Sequence, residues 1–429
     1  MKIYFIGIGG ISMSALAQFL EDKGCEVLGS DISPSGAVAQ LGEKGILVHT
    51  SQKKENINKS IDEVVYTSAI TPGSPGDAEL QEAKRLGIKT VKRAQKIGEL
   101  TKKYKTIAIS GTHGKSTTTA MVLQILLEAG KDPSALLGSG FDLVKSNYRV
   151  GKSNFLVIES DEFDRSFHNF QVDFGAILNV EADHLDYFKG GIKEIKKAFI
   201  KYIQENFKKN GCLIYNQKDK NLCEIIIKVK RADLKKEILP KIKLKLLVPG
   251  EHNQMNARAA LVLARQVGVE EKIARKALAK FKGADRRFDF KGEKNGVKVI
   301  DDYAHHPTEV KATIQAAREK FQKKRIIAVF QPHQYSRTKF FAREFSQSFN
   351  DADVVIIPPI YEVAGRDEKK EIDNFKLAEM IKANKKETEA TKNFTETVEL
   401  LKKTTKQGDI ILVMGAGPIY QVADQFLKD

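Results

Sequence analysis

Several features common in secreted and membrane proteins are absent from this sequence. It has no tryptophan and only three cysteines (Cys25, Cys212 and Cys223), which form no CxxC pair. We therefore expect neither a disulfide framework nor a cysteine-based zinc site. No apolar run approaches the ~20 residues of a membrane-spanning helix. Residues 1–7 have the pattern of a buried strand and not of a signal peptide, so we expect a cytoplasmic protein.

Acidic residues are scarce relative to basic ones. The chain has 55 acidic and 71 basic residues and a formal net charge of +16, which favours anionic partners. The densest basic stretch, residues 228–245, alternates lysine with aliphatic residues and lacks the aromatic residues of a single-strand nucleic-acid platform. We interpret the excess as solvated surface, and we expect small-molecule substrates, with no nucleic acid and no membrane as partners.

Length and periodicity indicate three α/β domains. A chain of 429 residues is long enough for roughly two to four domains. Short β-branched runs alternate with helical patterns, which is typical of doubly wound parallel sheets. We predict a Rossmann-like domain over 1–98, a central P-loop ATPase-type domain over 99–283 and a C-terminal Rossmann-like domain over 284–429.

The main predicted elements follow from the same patterns. Strands are predicted over 2–8, 26–29, 64–68, 105–110, 155–158, 174–180, 297–300, 325–330, 353–357 and 409–414. Helices are predicted over 12–23, 94–103, 115–128, 254–267, 307–321 and 338–349.

The clearest chemical signal is SGTHGKSTT at 110–118, between a predicted strand and a predicted helix. A glycine turn at a helix N-terminus points backbone N–H groups at a phosphate. Lys115 can reach terminal phosphates, and Ser116 or Thr117 can hold Mg²⁺. Ile109 stands where the common motif has its first glycine. The strand–turn–helix context nevertheless predicts nucleoside triphosphate binding.

Carboxylates follow two later strands. Glu159 ends one apolar run and is followed by SDEFD at 160–164, and NVEADH at 179–184 leaves the next. Acids at the carboxyl ends of parallel strands gather at one edge of the sheet. There they can bring a ligand to the magnesium of a P-loop.

A second glycine turn, GIGGIS at 7–12, follows the first strand, and Asp31 follows the next one. This is close to the dinucleotide fingerprint, but Ser12 replaces its third glycine. The pattern predicts a diphosphate at a helix N-terminus. A nicotinamide cofactor and a tight turn without a ligand remain alternatives.

In the third block, DDYAHHPT at 301–308 and QPHQYSRT at 331–338 each follow a strand, as expected for the rim of a site. A metal site formed by Asp302, His305 and His306 is an alternative that we disfavour, because adjacent histidines point in different directions. Helix capping by Asp302 or Thr308 is a further alternative.

Taken in order, these motifs resemble those of the Mur ligases. The matching segments are GIGGI at 7–11, GTHGKSTTT at 111–119, EADH at 181–184, HNQMNA at 252–257, RRF at 286–288 and DYAHHPTE at 302–309. The resemblance extends from residue 3 to near residue 420. Ser160 and Ala304 depart from the family's usual alanine and glycine, but neither change removes a charged group.

The resemblance implies an ADP-forming ligase that depends on ATP and Mg²⁺ and acts in peptidoglycan precursor synthesis. It would join L-alanine to the muramyl carboxylate of UDP-N-acetylmuramate. ATP would phosphorylate that carboxylate, and the amine of L-alanine would attack the acyl phosphate. The three domains would bind the UDP-sugar, ATP and the amino acid, in that order, in a monomer or weak homodimer.

The resemblance also implies roles for individual residues. The catalytic residues would be Lys115, His184 and Arg287, and the metal ligands Ser116, Glu159 and His184. ATP would be bound by Gly111, Thr112, His113, Gly114, Lys115, Ser116, Thr117, Asn253, Asn256 and Asp302. The UDP-sugar would be bound by Gly7, Gly9, Gly10, Ile11, Asp31 and Ser68, and the amino acid by Tyr303, His306 and Arg337.

Other activities remain as alternatives. Within the family, a ligase that attaches a recycled tripeptide to UDP-N-acetylmuramate is the nearest. An oxidoreductase would leave the loop at 111–118 unexplained, and a nucleic-acid-stimulated ATPase would leave the outer domains without a task. The preference among L-alanine, glycine and L-serine stays open, because one methyl group discriminates by only ~1–3 kcal/mol.

Overall fold

The computed structural model describes residues 1–33, 35–362 and 369–428. Three sheets, each flanked by helices, give the three-domain α/β fold expected from the sequence. The chain divides into two compact units. The first unit comprises Met1–Lys245 and Met255–Phe281, and the second comprises Leu246–Gln254 and Lys282–Asp429.

A five-stranded parallel sheet lies in the N-terminal part of the first unit, in the order β3-β2-β1-β4-β5. Its strands are β1 (Lys2–Ile6), β2 (Glu26–Ser30), β3 (Leu47–His49), β4 (Glu63–Tyr66) and β5 (Lys89–Lys92), and its helices are α1 (Ile11–Glu21), α2 (Gly36–Glu43), α3 (Asp77–Arg85) and α4 (Arg93–Thr101). Residues 3–6 of β1 have no exposed surface, which explains their continuous apolar pattern. The strand order reverses at β1, so the turn after β1 lies where such sheets bind ligands.

The second sheet of this unit has seven strands in the order β12-β11-β10-β6-β9-β7-β8. Its strands are β6 (Lys105–Ser110), β7 (Ser134–Phe141), β8 (Ser146–Arg149), β9 (Phe155–Glu159), β10 (Val172–Ile177), β11 (Phe207–Tyr215) and β12 (Lys235–Ile238). Its helices are α5 (Lys115–Glu128), α6 (Ile192–Asn206), α7 (Lys220–Lys228), α8 (Glu251–Gln266, of which Met255 onward belongs to this unit) and α9 (Glu271–Ala279). Only β7 and β8 pair antiparallel. Both β6 and α5 begin and end where the sequence predicts.

The hairpin of β7 and β8 packs against α1. The Asn147 side-chain amide donates a hydrogen bond of 2.8 Å to the carbonyl oxygen of Ile11. The hydroxyl of Tyr148 donates to Asp22 at 3.0 Å and accepts from Lys44 at 2.5 Å, and Lys44 also pairs with Asp22. Side chains of the hairpin therefore tie the second sheet to helices of the first.

The second unit contains a six-stranded sheet in the order β13-β14-β18-β15-β16-β17. Its strands are β13 (Asp289–Lys294), β14 (Val297–Asp302), β15 (Ile326–Phe330), β16 (Val354–Ile357), β17 (Glu387–Ala390) and β18 (Ile410–Met414). Its helices are α10 (Pro307–Phe321), α11 (Tyr335–Phe340), α12 (Ala342–Ser346), α13 (Asn374–Lys382), α14 (Phe394–Thr404) and α15 (Tyr420–Lys428). Among the strands that the structure describes in this unit, only β13 and β14 pair antiparallel.

One helix prediction in this unit is wrong. The single helix expected over 338–349 is two short helices, α11 and α12, separated at Phe341. Phe341 has φ −102° and ψ 18°, which is not a helical conformation, and its ring packs edge-on against His306. By contrast, α10 begins and ends as predicted, with Pro307 at its first position.

Buried aliphatic side chains form the cores of both units. Helix α5 is buried on nearly all sides, because residues 116–123, 125 and 126 are covered by the sheet and by neighbouring helices. In the part of the chain that the structure describes, no helix combines the length and apolar character needed to cross a membrane.

Candidate active site

The glycine turn after β1 is held by the end of β2. The amides of Gly7 and Ile8 donate to the carbonyl oxygen of Ser30 at 2.8 and 3.0 Å. The amide of Gly9 donates to a carboxylate oxygen of Asp31 at 2.8 Å. A Cβ on Gly9 would come within 2.8 Å of that oxygen, so the close approach requires glycine. Asp31 therefore shapes the turn directly.

The helix that follows this turn has an open N-terminus. Gly10 is the N-cap residue of α1 and supplies no side-chain hydrogen bond, and Ile11 begins the helix. The end of β4 lies beside the turn, since a Cβ on Gly7 would be 3.1 Å from the methyl group of Thr67. Ser68 is exposed in the same connection. The structure thus gathers the residues predicted to bind the UDP-sugar at one edge of the first sheet.

The second glycine turn, between β6 and α5, is held by Asn179. The amide of His113 donates to Asn179 Oδ1 at 2.8 Å, and Asn179 Nδ2 donates back to the His113 carbonyl at 3.0 Å. The Thr112 amide donates to the main-chain oxygen of Asn179 at 3.1 Å. We did not assign Asn179 from the sequence. Its position directly after the apolar run of β10 was the available signal.

Glycine is required at both ends of this loop. Gly111 has φ 129° and Gly114, the N-cap of α5, has φ 85°. A Cβ on Gly114 would come within 2.4 Å of Asn256 Oδ1, so Asn256 lies against the loop. Ser116 and Thr117 are buried in the first turn of α5, below the same loop.

Lys115 is surrounded by carboxylates. Its Nζ donates to the Gly111 carbonyl at 2.7 Å and to Glu162 at 3.2 Å, and lies 3.9 Å from Asp161. Burial alone would lower the pKa of Lys115, but Glu162 and Asp161 outweigh this effect and raise the pKa. Burial raises the pKa of Glu162, against the effect of Lys115. Glu162 is a second residue that we did not assign individually from the sequence.

Oxygen ligands suitable for Mg²⁺ lie beside this lysine. Ser116 Oγ donates to Glu159 Oε2 at 3.1 Å, and the Gly138 amide fixes the other oxygen of Glu159 at 2.6 Å. Ligand atoms of Asp161, Glu162 and His184 all lie within 4.8 Å of one another. Hydroxyl and carboxylate oxygens fit a hard divalent cation bound next to phosphates. The structure therefore brings Ser116 to Glu159, and places His184 with two further acids.

His184 is held in an unusual conformation. Its φ is 51°, and its amide donates to Asp183 Oδ1 at 2.7 Å. Its ring packs against Phe163 with 4.9 Å between centroids. A non-glycine residue in the left-handed region is a candidate for function.

In the second unit, Asp302 at the end of β14 organises the preceding loop. Its carboxylate accepts from the amides of Phe288 at 2.7 Å and Ala304 at 2.8 Å. Burial raises the pKa of Asp302 to about 6, against the opposing effect of Arg287. The Arg287 guanidinium lies 5.0 Å from the centre of the Tyr303 ring.

The residues predicted to bind the amino acid lie around a row of rings. His305 packs 5.3 Å from Tyr303 and 5.8 Å from His333, measured between centroids. Arg337 Nη1 lies 3.1 Å from Nδ1 of His333. Tyr303 and Arg337 are thus linked through His305 and His333, neither of which we expected at the amino-acid site. His306 is buried and caps α10, accepting from the Thr308 amide at 3.3 Å.

The two asparagines of α8 have different partners. Asn256 touches the loop at Gly114, as described above. Asn253 Nδ2 donates to the carbonyl oxygen of Pro249 at 2.7 Å, within the second unit. Both side chains are buried.

Three family models match the chain. The Mur ligase family catalytic domain matches residues 2–105, the Mur ligase middle domain residues 109–241, and the Mur ligase glutamate ligase domain residues 286–417. Together they span most of the sequence. The chain belongs to the Mur ligase family, which confirms the resemblance inferred from its motifs.

Similar proteins within the family are named for their activities. The UDP-N-acetylmuramate–L-alanine ligase of Acetivibrio thermocellus is 42% identical over 458 residues, with 100% of this chain and 96% of the relative covered. The crystal structure of the UDP-N-acetylmuramate–alanine ligase of Thermotoga maritima superposes with a TM-score of 0.83 at 27% identity, and covers 100% of this chain and 98% of its own. A murein peptide ligase of Psychrobacter arcticus, 23% identical with a TM-score of 0.71, shares the fold over 100% of this chain and 98% of its own.

Proposed function

We propose that this protein is an ATP-dependent ligase that joins L-alanine to the muramyl carboxylate of UDP-N-acetylmuramate, releasing ADP and phosphate, in peptidoglycan precursor synthesis. The observation that carries the proposal is the arrangement of Lys115, Ser116 and Glu159 at the loop after β6, which suits a nucleoside triphosphate with its metal ion. The full-length identity of 42% to a ligase of this name supports the choice of substrates.

In this proposal the loop after β6 holds the phosphates of ATP. The amides of the loop and of the first turn of α5 bind phosphate oxygens, and Lys115 exchanges Glu162 for the terminal phosphates. Glu162 and Asp161 raise the pKa of this lysine before ATP binds, and the negative charge of the phosphates would act in the same direction afterwards. The remaining ATP-binding residues are Gly111, Thr112, His113, Gly114, Ser116, Thr117, Asn253, Asn256 and Asp302.

Ser116 and Glu159 would hold Mg²⁺, and His184 would be a ligand of a second metal ion. The bound ion would neutralise charge on the transferring phosphoryl group. The hydrogen bond between Ser116 and Glu159 fits this role, because it already places a hydroxyl and a carboxylate oxygen 3.1 Å apart.

The reaction has two steps. A carboxylate oxygen of the UDP-sugar bonds to the γ-phosphorus, and the bond between that phosphorus and the β–γ bridging oxygen breaks, which releases ADP. The amine of L-alanine then bonds to the acyl carbon and loses a proton, and phosphate departs with the former carboxylate oxygen. Lys115, His184 and Arg287 are the proposed catalytic residues. Their task is to bring anions together and stabilise the charge that develops.

The other two substrates bind at the other sheets. The UDP-sugar binds at the turn after β1, through Gly7, Gly9, Gly10, Ile11, Asp31 and Ser68. The amino acid binds near Tyr303, His306 and Arg337, and Arg337 pairs with its carboxylate. The contact with His333 supports this role of Arg337, because it fixes the direction of the guanidinium.

We also propose the domain limits 1–98, 99–283 and 284–429, a monomer or weak homodimer, and action in the cytoplasm on small molecules. None of these properties follows from membership of the family alone. Size-exclusion chromatography with light scattering tests the oligomeric state, with a single species near 47.9 kDa expected at low concentration.

The decisive experiment measures ADP release with ATP, Mg²⁺ and UDP-N-acetylmuramate, comparing L-alanine, glycine, L-serine and the tripeptide. We expect turnover with L-alanine that requires the UDP-sugar and Mg²⁺. Turnover with the tripeptide alone would move the protein to the recycling ligases. No turnover with any acceptor would reject the proposed substrates.

A further inference from the structure

Arg93 places a cation at the open end of α1. It is the first residue of α4, directly after β5, and 81 residues separate it from Ser12 in sequence. Its Nη1 donates a hydrogen bond of 2.5 Å to Ser12 Oγ. Ser12 is the second residue of α1, so the guanidinium lies at the helix end that follows the glycine turn.

The N-terminus of α1 has unfilled capacity for an anion. The first amides of any helix have no acceptor within the helix, and here the N-cap Gly10 supplies no side-chain acceptor. The first turn of α1 also contains no acidic residue. Partial positive charge at the helix end and the charge of Arg93 therefore add together.

Arg93 itself is only partly satisfied by the protein. Burial lowers its pKa, while Asp161, Asp164 and Glu159 act in the opposite direction from a distance. Within the described residues no carboxylate lies at ion-pair distance from Arg93, and Ser12 is its one hydrogen-bond acceptor. The nearby Asp164 is paired instead with Lys92, at 2.9 Å. A partly buried guanidinium with several donors to spare favours a bound anion.

We propose that Arg93 binds the diphosphate of the UDP-linked substrate together with the first amides of α1, and so forms part of the UDP-sugar site. This proposal rests on the proposed function for the identity of the substrate. A guanidinium can bind two phosphate oxygens at once, and Ser12 holds it at the helix end where those oxygens are bound. Arg93 thereby supplies from α4 the cation that the glycine turn itself lacks.

The test compares the affinities of UDP and of uridine, measured by titration calorimetry. The affinity of the ligand that binds more weakly is obtained by competition with the other one. Arg93→Met is expected to weaken UDP binding about ten- to hundredfold and to leave uridine binding unchanged. Arg93→Lys, which keeps the charge but loses the two-point contact, is expected to show a smaller loss. The matched control is Arg85→Met, because Arg85 is an exposed arginine of α3 that pairs with Glu82.

Kinetics give a second readout that a merely structural role would not produce. In Arg93→Met the KM for UDP-N-acetylmuramate rises about tenfold or more, while the KM for ATP stays within about twofold. Equal weakening of UDP and uridine, equal changes in both KM values, or no change in UDP affinity would each overturn the proposal. If Arg93→Met does not fold, Arg93→Lys decides the matter, and undiminished UDP affinity in that variant overturns it.

The two proposals can fail separately. A wild-type protein that binds UDP through Arg93 but releases no ADP with UDP-N-acetylmuramate would reject the proposed function and retain this role of Arg93. A wild-type protein that turns over normally, with UDP affinity unchanged in Arg93→Met, would reject only the role of Arg93.

Discussion

Two strand–turn–helix connections of the first unit, both proposed to bind phosphate groups, are held differently. The turn after β6 carries its own cation, Lys115, and is fixed by one residue, Asn179, which bonds to main-chain atoms of consecutive loop residues. The turn after β1 has no basic residue of its own. Ser30 and Asp31 hold it, and Arg93, from a helix far along the chain, places a cation at the start of the helix that follows the turn. The first kind of site is local in sequence, whereas the second is assembled by the fold.

The largest expected effect is at the local cation. Lys115→Ala removes the only side chain of this loop that carries a fixed positive charge, and we expect kcat/KM for ATP to fall about 10³-fold. ADP release under saturating UDP-sugar and L-alanine measures the change. Lys102→Ala, which alters an exposed lysine, serves as the control. If Lys115→Ala retains more than about a tenth of the activity, the loop does not depend on its own lysine as proposed.

Asn179, which holds the turn after β6, should affect the use of ATP far more than the use of the UDP-sugar. Asn179→Asp loses the donor to the His113 carbonyl and adds a negative charge near bound phosphates, so we expect about a 100-fold lower kcat/KM for ATP. The KM for the UDP-sugar is expected to change far less. Asn58→Asp, at an exposed asparagine, is the control. An equal loss for both substrates would show that Asn179 supports the fold in general and not this loop.

The turn after β1 should reveal its close packing in stability measurements. Gly9→Ala forces a Cβ to within 2.8 Å of Asp31 and Val38, and we expect a loss of about 1–3 kcal/mol in the free energy of unfolding. Gly10→Ala meets nothing closer than 3.7 Å at φ −65°, so we expect a change within about 0.5 kcal/mol. Urea denaturation of both variants measures the difference. Similar losses in both variants would mean that the close contact of a Cβ with Asp31 and Val38 does not set Gly9 apart from Gly10.

The smallest effect is expected for the anchor of the same turn. Asp31→Asn keeps one acceptor oxygen for the amide of Gly9 or of Ser33, so we expect a loss of about 0.5–1.5 kcal/mol in the free energy of unfolding. Urea denaturation, with an unchanged KM for ATP as the control, measures it. A loss as large as that of Gly9→Ala would show that the carboxylate charge itself holds the turn.

The same contrast explains what the sequence could predict. The strand over 105–110 and the helix over 115–128 have the predicted bounds, since an apolar run, a glycine turn and a lysine follow one another without interruption. The helix over 307–321 could be predicted equally well, because Pro307 and Glu309 mark its first turn. Family membership and fold class followed from such local motifs.

Residues whose roles depend on contacts in the folded structure could not be predicted from local patterns. Three of them, Arg93, Asn179 and Glu162, form hydrogen bonds with segments distant in sequence. His333 contacts Arg337, which is only four residues away, but the role of this pair is visible only in the folded structure. The hairpin of β7 and β8 was missed because glycines in residues 134–141 interrupt the alternation expected of a strand. At the break between α11 and α12, the Phe341 ring packs against His306, a contact that no local pattern encodes.

The hairpin that packs against α1 bears on how the chain can be divided for separate study. A fragment ending at residue 98 would remove Asn147 and Tyr148, leaving the carbonyl of Ile11 and the pair of Lys44 and Asp22 without their hairpin partners. A fragment ending at residue 281 retains every one of these bonds. Isotope labelling and assignment of the N-terminal domain should therefore begin with the longer piece, even though the shorter one contains the whole five-stranded sheet.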